Sequence, residues 1–190
     1  TPSTDPGLPV THTIVHYDPA GESPSNTTLS RNNLALTAPF VDHRRVVPTI
    51  VGGAAASVLD HPYIVPLLST DTTDATAARF CAGTLVSPRW VVTAAHCVDD
   101  RTVGTMQIAP GIADLSEVTA VDRIEVAAIH LHEDYRPPEL THDIALLRLA
   151  TDVTVPGARW IPWQTNGQLP LAGTEVTTAG WGASVADGSN

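Results

Sequence analysis

The sequence predicts an all-β protein whose short strands close into a barrel or stack as a sandwich, and three observations carry that expectation. From Ile50 onward, apolar runs of strand length alternate with Gly, Pro or Asp, which is the pattern of repeated short strands joined by turns. The composition is rich in Ala, Thr, Val and Pro but only 5% aromatic, a mix that favours strands and loops over long helices. Neither a repeat of solenoid period nor a heptad stretch runs through the chain, so solenoids and coiled coils drop out.

Residues 1–49 gather Pro, Ser, Thr and Asn, as in Thr1-Pro2-Ser3-Thr4-Asp5-Pro6 and Ser23-Pro24-Ser25-Asn26-Thr27-Thr28. With little sustained periodicity, they read as a pro-segment or N-terminal extension. Strands are expected at 63–68, 80–86, 90–93, 118–129, 144–149 and 175–179. Pro66 has no N–H to give to a ladder, so its run belongs at an edge or a bulge. Ala94 and Ala95 could start one short helical turn; no other segment reads as helical.

A chain of 190 residues is long enough to enclose a core. No stretch approaches the roughly 20 uninterrupted apolar residues of a transmembrane helix, and no membrane partner is expected. The formal net charge is −10, and the ten basic residues are all Arg, adjacent only at Arg44-Arg45. Counterion release on nucleic acid needs a clustered basic surface, so no nucleic-acid partner is expected either. Arg in place of every Lys suits a GC-rich bacterial source. The chain opens at Thr1 without an apolar signal core, as expected of a secreted protein already trimmed of its export signal. Cys81 and Cys97 would pair in an oxidising compartment, closing a short loop, or stay as buried thiols in a reducing one.

Two segments carry residues suited to chemistry. Trp90-Val91-Val92-Thr93-Ala94-Ala95-His96-Cys97 puts His96 just past an apolar strand, with small neighbours that let backbone and substrate approach. A general base must be held in one orientation, and such a turn can do that. In Thr141-His142-Asp143-Ile144-Ala145-Leu146-Leu147-Arg148-Leu149, Asp143 stands at the mouth of an apolar strand. A carboxylate there can be desolvated while accepting an imidazole Nδ1 proton, which fixes the tautomer. His130 and His132 alternate and on a strand would face one side, but no third ligand follows at metal spacing. Neither a metal nor another cofactor is expected.

Ile50-Val51-Gly52-Gly53, Cys81-Ala82-Gly83-Thr84-Leu85-Val86, Thr93-Ala94-Ala95-His96-Cys97, Asp143-Ile144-Ala145-Leu146-Leu147-Arg148-Leu149 and Gly180-Trp181-Gly182 follow one another in a set order. In that order and approximate spacing, residues 50–182 resemble the chymotrypsin-like, or trypsin-like, serine proteases. The resemblance implies a chymotrypsin-like double antiparallel β-barrel. Residues 50–170 would supply the first barrel, and 171–190 the start of the second with a cleavable surface loop. It implies His96 and Asp143 as two members of a Ser-His-Asp triad, and a disulfide between Cys81 and Cys97 beside the base. The implied function is a secreted serine endopeptidase, or its zymogen, acting on proteins or peptides. His132 falls in the surface loop leading to Asp143, and His142 stands where relatives more often carry Asn.

The family's Gly-Asp-Ser-Gly-Gly-Pro segment, which holds the nucleophile, the oxyanion hole and the specificity pocket, does not occur between Thr1 and Asn190. Ser184 and Ser189 follow Gly180-Trp181-Gly182 too closely and lack the glycines that oxyanion donors need. The expected partner is a C-terminal remainder of the same protease carrying the catalytic Ser. The alternative is a catalytically inactive homologue that uses the scaffold as a binding module. Thr49 precedes Ile50 where trypsin-activated relatives carry Arg or Lys. In such relatives an activating protease frees the amine at this position for a buried ion pair, so an uncut Thr49–Ile50 bond implies a zymogen-like state.

Overall fold

A computed structural model describes residues 10–16, 54–163 and 174–182. In chain order these hold β1 (Val10–His16), β2 (Ala54–Ala55), β3 (Ile64–Ser69), α1 (Ala75–Ala78), β4 (Arg79–Ser87), β5 (Trp90–Thr93), β6 (Met106–Ile108), β7 (Ile124–Leu131), β8 (Ala145–Leu149) and β9 (Glu175–Gly180). Strands β3-β4-β5-β8-β7-β6 close into an antiparallel barrel, which leaves no open edge among them.

Side-chain alternation builds that barrel. Along β8, Ala145, Leu147 and Leu149 are buried while Leu146 and Arg148 point outward, the period-two pattern of a half-buried strand. Val91 and Thr93 do the same on β5. The buried Thr93 hydroxyl donates to the Ala82 carbonyl at 2.8 Å, so this hydroxyl is not stranded inside.

All six residues of β3 are buried, because this strand faces two cores. Val65 and Leu67 fill the barrel interior with Leu85, Val91 and Leu147. Ile64 and Leu68 pack outside it with Leu115 and Trp181. Trp181 is only 3% exposed, and its Nε1–H donates to the Ala113 carbonyl at 2.7 Å. The end of β9 is thereby fastened to the outer wall of the barrel. Pro66 pairs with Ala82 on β4, but β6 joins β3 only from Leu67 and the β4 ladder shifts after Leu67. The proline therefore sits where one side of its strand is unpaired and beside an irregularity.

Three expectations need correction. Residues 118–129 do not form one strand: two 3-10 turns, Leu115–Glu117 and Ala120–Asp122, precede β7. Asp122 Oδ2 accepts both the Thr119 N–H at 2.8 Å and the Thr119 hydroxyl at 2.6 Å, a local capping arrangement that competes with a ladder. A further helical turn that the sequence did not announce is α1, started by Asp74 accepting the N–H groups of Thr76 and Ala77. Finally, within residues 1–49 the β-branched run Val10–His16 forms β1. Its backbone pairs with β9, from Val10↔Gly180 to His16↔Glu175, and with β2.

Candidate active site

Strand pairing brings the two segments singled out above to one end of the barrel. β5 and β8 are neighbours, with Thr93 opposite Ala145. The residues just after β5 and just before β8 therefore emerge side by side. His96 lies in a 3-10 turn, Ala95–Cys97, between buried Ala95 and buried Cys97. Val98 follows at 1% exposure, and Cys97 is disulfide-bonded to Cys81 on β4 with the Cα atoms 6.1 Å apart. The turn carrying the imidazole is thus pinned on both flanks.

Asp143 holds His96 by two bonds. Its Oδ1 accepts the His96 backbone N–H at 2.8 Å, and its Oδ2 accepts from ring Nδ1 at 2.7 Å. An ionised carboxylate only accepts, so the ring proton sits on Nδ1 and the Nε2 lone pair is left free. Burial works against ionisation of Asp143. The hydrogen bonds from the His96 side chain and backbone, the attraction of His96 and the Ala95 N–H outweigh it and hold the carboxyl below its usual range. The imidazole is 39% exposed against 21% for the carboxylate. Nε2 lies 3.7 Å from Cys97 Sγ, a disulfide sulfur with no proton to give, so its lone pair stays available, as an oriented base requires.

The neighbourhood adds groups that sequence reading missed. Tyr135, 8% exposed, donates its hydroxyl to Asp99 Oδ2 at 3.0 Å. Burial, that bond and the charges of Asp99 and Asp143 push its ionisation up to about 12. The only sequence hint was an aromatic residue after His132-Glu133-Asp134. His142 stacks on His132 with ring centroids 4.9 Å apart and planes 18° apart. Its φ of 54° lies in the left-handed region, where Asn is enriched among residues that carry a Cβ. His130 and His132 do not share a strand face: β7 ends at Leu131, and His130 packs instead on Trp90, 5.6 Å between centroids.

Among the described residues, the one cluster of His, Cys, Asp or Glu compact enough for a metal is Cys81, His96 and Cys97. A metal needs thiolates there, and both sulfurs are committed to the disulfide. Thr49, Ile50, Ser184 and Ser189 lie outside the described residues.

A family model described as Trypsin matches residues 50–190. The chain is 34% identical over 134 residues to a trypsin of Sarcophaga bullata, covering 70% of this chain and 49% of that protein. It is 33% identical over 134 residues to brachyurin of Leptuca pugilator, covering 70% and 55%. Among solved structures, the Vibrio cholerae VesB protease is similar, with a TM-score of 0.50, 32% identity, and coverage of 59% of this chain and 33% of that one. The chain spans about half the length of the first two relatives. On the match across residues 50–190, the chain belongs to the trypsin-like serine protease family.

Proposed function

We propose that this chain is the base-bearing part of a secreted serine endopeptidase, with His96 as general base and Asp143 as the group that orients it. The observation that carries this reading is the two-point grip of Asp143 on the backbone and ring of His96. In the reaction, His96 Nε2 takes the proton of a serine hydroxyl as its oxygen attacks the peptide carbonyl, then returns a proton to the departing amine. Asp143 keeps the ring in the Nδ1–H tautomer and stabilises the imidazolium formed in between.

The serine, the oxyanion donors and the pocket for the substrate side chain belong to a C-terminal remainder of the same protease, joined through or cut within residues 183–190. Cleavage of Thr49–Ile50 by an activating protease converts the precursor to the working enzyme. Secretion is supported by the Cys81–Cys97 disulfide, since such bonds persist in oxidising compartments. No helix among the described residues is long and apolar enough to cross a membrane. A bacterial source rests on the Arg-only basic composition alone.

The test uses the protease with its C-terminal remainder, treated with a serine-directed phosphonate and weighed by intact mass. The expected label falls on a serine outside Thr1–Asn190 and is lost in His96→Ala, and N-terminal sequencing of the active form starts at Ile50. If material cut before Ile50 takes no label and hydrolyses no peptide in a broad panel, the scaffold is an inactive homologue that binds a partner.

A further inference from the structure

The loop that delivers Asp143 is joined to the turn carrying His96 at a second place. Asp99 lies three residues after His96, and Tyr135 lies eight before Asp143. The Tyr135 hydroxyl donates to Asp99 Oδ2 at 3.0 Å, so it bridges the same two segments as the His96–Asp143 pair. Both ends of this bridge are anchored. Tyr135 packs in the barrel core with Val98, the residue before Asp99, and its own N–H bonds to the His132 carbonyl at 3.0 Å. A buried phenol needs an acceptor, and a carboxylate supplies a charge-assisted one.

The loop has reason to need such a clasp. Leu140 and His142 both hold left-handed backbone, at φ 53° and 54°, a conformation unfavourable for residues with a Cβ. It persists only where the surroundings over-determine it. His142 adjoins Asp143 directly, so relaxation of the loop would move the carboxylate. Few other ties cross from this loop to the His96 segment: Arg136 binds the carbonyls of Glu133 and Tyr135 within the loop, and the His132 N–H reaches only Ile144.

We propose that Tyr135 is a positioning residue for the His96–Asp143 pair, acting through its hydrogen bond to Asp99. This rests on the peptidase reading above. A displacement of a few tenths of an ångström at a base costs rate rather than affinity. In the complete protease, Tyr135→Phe is expected to lower kcat about 3–10-fold with KM within about twofold. The downfield His96 Nδ1–H resonance in proton NMR should shift or broaden. Asp99→Ala should reproduce both effects, and Asp99→Asn, which keeps a carbonyl acceptor, should recover most of the loss. The Tyr135→Phe/Asp99→Ala double variant should lose no more than either single one, as expected for partners in one bond.

The proposal is overturned if both single variants leave kcat and the His96 resonance unchanged, if their losses simply multiply in the double variant, or if Asp99→Asn is as poor as Asp99→Ala. Asp99 is exposed, so its variants fold even if Tyr135→Phe does not. If the wild-type protein hydrolyses nothing, the peptidase reading fails, while the His96 resonance in the same variants still decides whether the clasp positions the ring.

Discussion

Asp143 holds His96 by its backbone as well as by its ring, at 2.8 Å through Oδ1 and 2.7 Å through Oδ2. The backbone bond has a consequence for the ring bond. It fixes the carboxylate relative to the turn, so rotation of the imidazole alone cannot carry the acceptor with it. Orientation therefore comes from the main chain, and charge from the side chain.

Asp143→Asn separates those two contributions. The amide oxygen can keep the His96 N–H bond, but the amide NH₂ then faces Nδ1 and selects the opposite tautomer, placing the ring proton on Nε2. In the complete protease, kcat is expected to fall on the order of 10³–10⁴-fold with little change in KM. Far-UV circular dichroism should be unchanged. A loss below about tenfold would mean that Asp143 is not the orienting group.

The same pair makes stability depend on acid. The Asp143 carboxyl is held below its usual value in the fold, so the unfolded chain binds a proton at Asp143 more readily than the folded one. Its contribution is present above the unfolded value of about 3.9 and is lost as pH falls through the lower folded value. Calorimetry should show wild type melting above Asp143→Asn at pH 6, with the gap closing below about pH 4. A gap that stays constant down to pH 2.5 would contradict the assignment.

Much of this site was legible in the sequence, for a physical reason. His96 and Asp143 each adjoin a strand strong enough to read, Trp90–Thr93 and Ala145–Leu149. Their meeting was not legible from pattern, because it depends on β5 pairing with β8 across an intervening β6 and β7. Only the resemblance supplied it. Met106–Ile108 is three residues long, too short for a period to register, yet it closes the barrel. The double burial of β3 could not be foreseen either, since Leu68 owes its cover to Trp181 from the far end of the chain. The Tyr135–Asp99 bond was invisible for the same reason: two polar groups on different loops meet only once the barrel has set their separation.

Gly83, in the Cys81-Ala82-Gly83 run, is required by close packing. A Cβ there would lie 2.5 Å from Val91 Cγ1 and 3.0 Å from the Val92 carbonyl oxygen. The valine could turn, but the backbone oxygen belongs to the β4–β5 ladder and cannot retreat without breaking it. Gly83→Ala is therefore expected to destabilise by about 1–3 kcal/mol, read from the urea midpoint at unchanged m-value. A neutral or stabilising result would show that β5 shifts freely.

The disulfide is the last support of the His96 turn, and its two roles can be measured apart. Cys81 and Cys97 are 16 residues apart, and closing a loop of that size is worth on the order of 3 kcal/mol in the chain-entropy model. The double variant Cys81→Ala/Cys97→Ala should lose about that much stability in urea, or somewhat more if a void is left beside Val98. The turn has other anchors, since Ala95 is fully buried, Val98 nearly so, and the His96 N–H is bound to Asp143. The His96 ring should thus keep its place once folded. Below the melting range, kcat of the complete protease is expected to fall less than about tenfold, in contrast to Asp143→Asn. If instead kcat collapses while stability barely changes, the disulfide itself positions the ring and the buried flanks do not.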